Sequence, residues 1–93
     1  MAVVIVTLKV MPEDPEIDLA VIREKAKKII TDFGGKVSSD KIEEEPVGFG
    51  LKALIIPFSA DESKGSPDPV AEDIEKIEGI KSAQVIRVSR ALG

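Results

Sequence analysis

The side chains that could carry chemistry in this chain are mostly carboxylates and amines, because its 93 residues include no Cys and no His. The missing imidazole removes the usual general base and metal ligand. The missing thiol excludes disulfides and thiolate chemistry, which fits a protein of a reducing cytoplasm. The chain also lacks a Gly-rich phosphate loop and a nucleophile paired with a base. We therefore predict that the protein is not an enzyme and that it uses no cofactor or metal ion.

The 17 acidic residues are scattered over turns and helix starts, where capping accounts for most of them. One run of three, Glu43-Glu44-Glu45, leaves a cation site open as an alternative. Such a site needs oxygen ligands that converge on one point, which spacing alone does not provide. A solvated end of a strand is the ordinary explanation of the run, and we prefer it.

The most unusual short stretch is Gly48-Phe49-Gly50, which contains one of only three Phe residues in a chain without Tyr or Trp. Glycine has no Cβ, so the backbone here can turn sharply or approach another surface closely. The stretch leads into a strand and not into a helix, which excludes a dinucleotide-binding fingerprint. From the residues alone, two interpretations stay open. Phe49 covers the end of its own core, which is the common case, or it points outward at another molecule.

The elements that must position this stretch follow from the spacing of apolar residues. In chain order the spacing predicts a strand over 2–10, a helix over 18–32 capped by Asp18, an edge strand over 36–46, a strand over 51–58, a helix from 67 or 69 to 78, and a strand over 80–90. This order gives two βαβ crossovers joined by a hairpin. We predict an α+β, ferredoxin-like split βαβ sandwich that forms a single domain over residues 1–93. Its four-stranded antiparallel sheet carries both helices on one face.

Three details of this fold are expected to be irregular. Pro57 donates no ladder hydrogen bond, so it should lie at a bulge or past the paired part of its strand. The alternation of the last strand slips at Val85–Ile86, so the face of each residue there stays open. Leu92 is expected to tether the C-terminus.

Charge and hydropathy narrow the class of partner. A net charge of −4 argues against nucleic acid, whose binding needs clustered Lys and Arg. No segment approaches the ~20 apolar residues of a membrane span. An apolar patch of Val3, Ile5 and Ile55 on the uncovered sheet face suggests a protein partner. A homodimer or a weakly apolar surface explains the same patch, and these alternatives stay open.

Several segments together resemble the archaeal translation elongation factor 1-beta family, and the resemblance covers essentially the whole chain. They are Lys9-Val10-Met11-Pro12 before an acidic turn, Asp18-Leu19, Glu45-Pro46-Val47-Gly48-Phe49-Gly50-Leu51, an acidic second helix and a basic last strand. Membership implies guanine-nucleotide exchange on elongation factor 1-alpha, the GTPase that delivers aminoacyl-tRNA. GDP release from that GTPase lets GTP rebind during elongation.

The resemblance also implies roles for individual residues. Phe49, between Gly48 and Gly50, matches an aromatic residue that inserts into a pocket of the GTPase. Arg90 matches a basic residue near the C-terminus that is directed at the Mg²⁺ and phosphate site of the GTPase. The eukaryotic-like pattern has Lys there, so Arg90 is a departure, and Arg87 could share the role. On this hypothesis the ring of Phe49 points outward and does not lie far from the guanidinium of Arg90.

A second function, from another class, fits the same predicted fold. A ferredoxin-like regulatory domain would bind a small molecule at the interface of a homodimer. Such a domain would form a stable dimer and change its stability with a metabolite, whereas an exchange factor would accelerate GDP release. Fluorescent-GDP release therefore discriminates the two.

Overall fold

The computed structural model describes residues 2–91, which form an α+β fold with one layer of β-sheet and one layer of helices. The strands and helices, in chain order, are β1 (Val3–Pro12), α1 (Leu19–Phe33), β2 (Lys36–Val37), β3 (Glu43–Gly48), β4 (Leu51–Asp61), α2 (Asp68–Glu75) and β5 (Ile80–Ala91). Short 3-10 turns at Ser39–Lys41 and Glu62–Lys64 join some of these elements. Leu92, the predicted tether of the C-terminus, lies outside the described residues.

The sheet is antiparallel throughout, with β1 at its centre between β4 and β5. Both β2 and β3 pair with the other edge of β4. This topology confirms the ferredoxin-like split βαβ prediction. The prediction of four strands was wrong in one respect, because the edge strand expected over 36–46 is divided into β2 and β3 by the 3-10 turn at Ser39–Lys41.

Pro57 explains why that edge strand is interrupted. On one side it pairs with Thr7 of β1 without a register shift. On the other side, the partners of β2 end at Phe58 and those of β3 begin at Ile55. The proline has no N–H to donate across that gap. Pro57 therefore lies inside a paired strand and not at a bulge or past its end, and the irregularity falls on the neighbouring edge.

The hydrophobic core lies between one face of the sheet and both helices. Alternate residues of β1 and β4 on that face, and two residues of α1, are fully buried; these are Val6, Leu8, Leu54, Ile56, Ala26 and Ile30. Asp18 caps α1 as predicted, because its carboxylate accepts a hydrogen bond from the Ala20 N–H at 2.9 Å. Gly34, with φ of 101°, closes the C-terminal end. Within residues 2–91, neither helix is long and apolar enough to cross a membrane.

Element ends differ from the sequence prediction by a few residues. α2 stops at Glu75 and not at 78, and its N-cap is Pro67, although Ser66 accepts a hydrogen bond from the Asp68 N–H at 3.2 Å. β4 continues to Asp61, through residues predicted as a loop. The slip predicted in the last strand is confirmed, because Thr7 pairs with Arg87 while Leu8 pairs with Val85, leaving Ile86 unpaired.

Candidate partner-binding site

Phe49 occupies the tip of the β3–β4 hairpin. Gly48 pairs with Leu51, so Phe49 and Gly50 form a two-residue loop. Their φ angles are +56° and +76°. A positive φ at both central residues is what a type I′ hairpin turn requires, and the twist of that turn matches that of the flanking strands. In residues 2–91, Phe49 is the only residue other than glycine with a positive φ.

The ring of Phe49 takes no part in the protein's own core. Its exposed fraction is 97%, whereas Phe58 is 3% exposed and Phe33 packs against the core. A left-handed conformation costs an L-residue with a Cβ about 1–2 kcal/mol. Packing of the ring within the protein does not offset this conformational cost. An outward-facing aromatic in an unfavourable conformation is typical of a side chain kept for another molecule.

The hairpin tip is accessible from the side of Gly48. A Cβ built on Gly48 meets no atom within 4 Å, whereas one built on Gly50 lies 3.7 Å from Pro15, which follows β1. An open groove of about 550 Å³ separates the tip from that loop and the start of α1. Its lining carries charges of both signs, from Asp14, Asp18, Glu44 and Lys52. The tip therefore has free space around the ring and a polar groove beside it.

Arg90 lies at the other end of the molecule, near the end of β5. It pairs in register with Val4, whose parity in β1 is that of the buried Val6, so its side chain leaves the sheet on the helix side. The guanidinium forms a hydrogen-bonded ion pair with the Glu62 carboxylate. Arg87 pairs with Thr7, of the opposite parity. The two candidate arginines therefore leave opposite faces of the sheet.

The distance between the two candidate contacts follows from the length of β4. Leu51, next to the hairpin tip, and Asp61, next to Glu62, are the first and last residues of this strand. Ten steps at about 3.3 Å each separate them by about 33 Å, in a molecule whose longest dimension is 42 Å. The structure does not bring Phe49 near Arg90. The expectation that the ring does not lie far from the guanidinium was wrong, because the hairpin tip and the end of β5 occupy opposite ends of the sheet.

The run Glu43-Glu44-Glu45 alternates between the two faces of β3, as a strand requires. Glu44 lies 3.5 Å from the Arg23 guanidinium on α1 and 3.9 Å from the Lys52 ammonium on β4. Its carboxylate thus links the hairpin to α1. In the part of the chain that the structure describes, no three acidic side chains are grouped so that they could hold a metal ion.

The uncovered sheet face is less apolar than the sequence suggested. Val3 is 38% exposed, while Ile5 and Ile55 are partly buried. Sequence reasoning missed that Ile86 and Val88 of β5 are exposed, because the slip at Val85–Ile86 left their faces open. Of the two, Val88 pairs with the buried Val6 and therefore lies on the helix side of the sheet. Sequence reasoning also missed Glu62 as the partner of Arg90, since their contact depends on β1 lying between β4 and β5.

The chain belongs to the family of EF-1 guanine nucleotide exchange domains, whose family model matches residues 5–91. Three archaeal relatives carry the name elongation factor 1-beta, and the resemblance seen in the sequence is thereby confirmed. The relative from Methanosphaera stadtmanae is 41% identical over 85 residues, covering 91% of this chain and 92% of that protein. The relative from Pyrococcus horikoshii is 43% identical over 84 residues, covering 89% of each. The relative from Methanococcus vannielii is 34% identical over 89 residues, covering 96% and 98%.

Proposed function

We propose that this chain releases GDP from elongation factor 1-alpha, so that GTP can rebind during protein synthesis in the cytoplasm. Residues 1–93 act as a single exchange domain on that GTPase. The observation that carries the proposal is the 97% exposed ring of Phe49, held on a glycine-flanked hairpin in a chain of the exchange-domain family.

Phe49 is the docking residue in this proposal. Burying a Phe side chain in a partner's pocket is worth roughly 2–3 kcal/mol. The two-residue turn fixes the backbone beneath the ring, so little backbone freedom is lost on binding. Gly48 and Gly50 act through this turn, and the open space at Gly48 lets a partner surface approach the hairpin closely.

Arg90 is the cation that acts at the Mg²⁺ and phosphate site of the GTPase. A positive charge brought close to a bound divalent ion weakens the ion's hold on the nucleotide by repulsion. Arg87 leaves the opposite sheet face, which favours assigning this role to Arg90. The GTPase must then offer a pocket for the ring and a nucleotide site about 33 Å apart, the length of β4.

Exchange follows from thermodynamic linkage between the binding of the factor and the binding of GDP to the GTPase. A factor that binds the nucleotide-free GTPase better than the GDP form must weaken GDP binding by the same ratio. A thousandfold acceleration of release requires about 4 kcal/mol off the barrier. Docking of Phe49 supplies part of this free energy. The repulsion between Arg90 and the Mg²⁺ ion weakens the binding of GDP. No covalent bond changes in either step.

The test measures release of fluorescent GDP from elongation factor 1-alpha, with excess unlabelled GDP present. Wild type should accelerate release, and Phe49→Ala and Arg90→Ala should each lose most of the acceleration. Arg87→Ala is the matched variant, because it removes the same charge from the other sheet face. No acceleration by wild type would contradict the proposed function. If both arginine variants lost the same activity, the role assigned to Arg90 would be contradicted, but the exchange function would not.

A further inference from the structure

The ion pair between Glu62 and Arg90 joins two strands that do not touch each other. Glu62 follows the end of β4 and Arg90 lies near the end of β5, with β1 between these strands. The carboxylate oxygen Oε1 accepts a hydrogen bond from the Nη2 group across the end of β1. The side chains are 44% and 64% exposed, respectively, so a partner could still reach the guanidinium.

The backbone of Glu62 forms two hydrogen bonds, and these fix the position of the Cα from which its side chain extends. Its N–H donates to the Ala2 carbonyl at 2.9 Å, and its carbonyl accepts from the Gly65 N–H at 3.2 Å. The preceding Asp61 caps the 3-10 turn by accepting from the Ser63 N–H at 2.8 Å. The carboxylate of Glu62 therefore extends from a fixed turn, whereas the long side chain of Arg90 would otherwise sample many rotamers.

The other charged group of the turn faces elsewhere. The Lys64 side chain lies over the C-terminal end of α1, with its Cε 2.7 Å from the place that a Cβ on Gly34 would occupy. Among residues 2–91, Glu62 is the only acidic side chain within ion-pair distance of Arg90, and it engages only Nη2. The remaining N–H groups of the planar guanidinium are then available for a two-point contact with phosphate oxygens.

We propose that Glu62 is a positioning residue, which holds the guanidinium of Arg90 in the orientation that acts on the nucleotide site of the GTPase. This inference rests on the proposed exchange function. Glu62 does not touch the nucleotide, and it acts only through Arg90. Without Glu62, ordering the arginine side chain becomes part of the cost of reaching the exchange-competent complex.

Because the cost of ordering Arg90 arises after docking, it predicts which kinetic quantity changes. Docking depends on Phe49, about 33 Å away along β4, so the factor concentration that gives half-maximal GDP release should stay close to that of wild type. The maximal rate of release should fall about three- to tenfold in Glu62→Ala, the range expected for ordering one long side chain. Glu62→Gln keeps a carbonyl oxygen that can accept from Nη2, and it should retain most of the wild-type maximal rate.

The experiment compares Glu62→Ala and Glu62→Gln with Glu72→Ala in the GDP-release assay, each with and without Arg90→Ala. Glu72 is an exposed residue of α2, and its replacement makes the same change in net charge. Glu62→Ala should slow maximal release, Glu62→Gln should restore it, and Glu72→Ala should match wild type. In the Arg90→Ala background, Glu62→Ala should have no further effect.

Other results overturn the inference. Faster release with Glu62→Ala would show that the carboxylate competes with the partner for Arg90. An equal loss in the Arg90→Ala background would show a general effect on the fold, which thermal unfolding of the same variants measures independently. An active wild type with an unchanged Glu62→Ala would defeat the positioning role and leave the exchange function standing. An inactive wild type would defeat the exchange function itself.

A direct readout of the arginine separates positioning from stability. In ¹⁵N-labelled protein, the Nε–H group of Arg90 should show restricted motion in wild type and Glu62→Gln, and fast averaging in Glu62→Ala. A mobile Arg90 in wild type would contradict the proposal whatever the exchange rates are.

Discussion

Replacing Phe49 with Asn should stabilise the protein and abolish most of its exchange activity. The ring is 97% exposed, so its removal forfeits almost no burial within the domain. Asn tolerates the left-handed conformation better than Phe, and Asn-Gly is the favoured pair of a type I′ hairpin. With φ of +56° at this position, relief of strain should raise the free energy of unfolding by about 1 kcal/mol. For a domain of this size the midpoint of thermal unfolding should rise by about 4–8 °C.

Exchange should change in the opposite direction. Loss of roughly 2–3 kcal/mol of ring burial in the partner predicts a rise of about 30- to 150-fold in the factor concentration needed for half-maximal GDP release. Phe49→Ala is the matched variant, because it loses the ring while its Cβ keeps most of the strain. It should lose exchange to the same extent and gain little or no stability.

Thermal and urea unfolding of the two variants, beside GDP release, provide the measurement. Phe58→Ala calibrates the scale, because that ring is 3% exposed and its loss should cost about 3–5 kcal/mol. A destabilisation of more than about 1 kcal/mol in Phe49→Asn would mean that the ring packs against its own domain. That result would refute both the outward presentation of Phe49 and the strain assigned to it.

Three further changes probe the scaffold. Gly79→Ala should destabilise by about 1–2 kcal/mol in urea unfolding, because φ is +93° and the new Cβ would lie 2.9 Å from Ile17; an unchanged midpoint would contradict this. Leu8→Ala should cost about 2–5 kcal/mol, since Leu8 is fully buried at the centre of the sheet, and a loss under 1 kcal/mol would mean a poorly packed core. The backbone hydrogen bond from Ser63 lowers the pKa of Asp61. The stability advantage of wild type over Asp61→Asn should therefore be complete above the ordinary pKa of about 3.9 and disappear as pH falls through the depressed pKa; an advantage that grows in acid would contradict this sign.

The fold could be predicted because its signals are local. The Asp18 cap, the apolar stripe of α1 and the alternation in β1 each depend on neighbours in sequence, and together they allow few topologies. The irregularities were harder to place. The sequence marked Pro57 as a difficulty, yet only the pairing of β2 and β3 shows that Pro57 lies in the gap between these two edge strands.

The candidate site divides in the same way. The glycines around Phe49 indicated an unusual backbone, and the structure gives it as a two-residue turn with an exposed ring. The resemblance left the choice between Arg87 and Arg90 open, because the slip at Val85–Ile86 did not show which sheet face each residue of β5 occupies. Glu62 gave no signal at all. Its contact with Arg90 is long-range, and only the order of the strands creates it.

If Phe49 and Arg90 both contact the GTPase, as proposed, the length of β4 fixes the distance between the two contact points. Because side chains alternate along a regular strand, lengthening the span between Phe49 and Arg90 without a bulge and without changing their faces requires two residues at a time, or about 6.6 Å. An insertion of one residue that is not absorbed in a bulge would turn every later side chain of the strand to the opposite face. Recognition of a GTPase would then depend on the distance between the GTPase's two contact points as much as on the chemistry at either point.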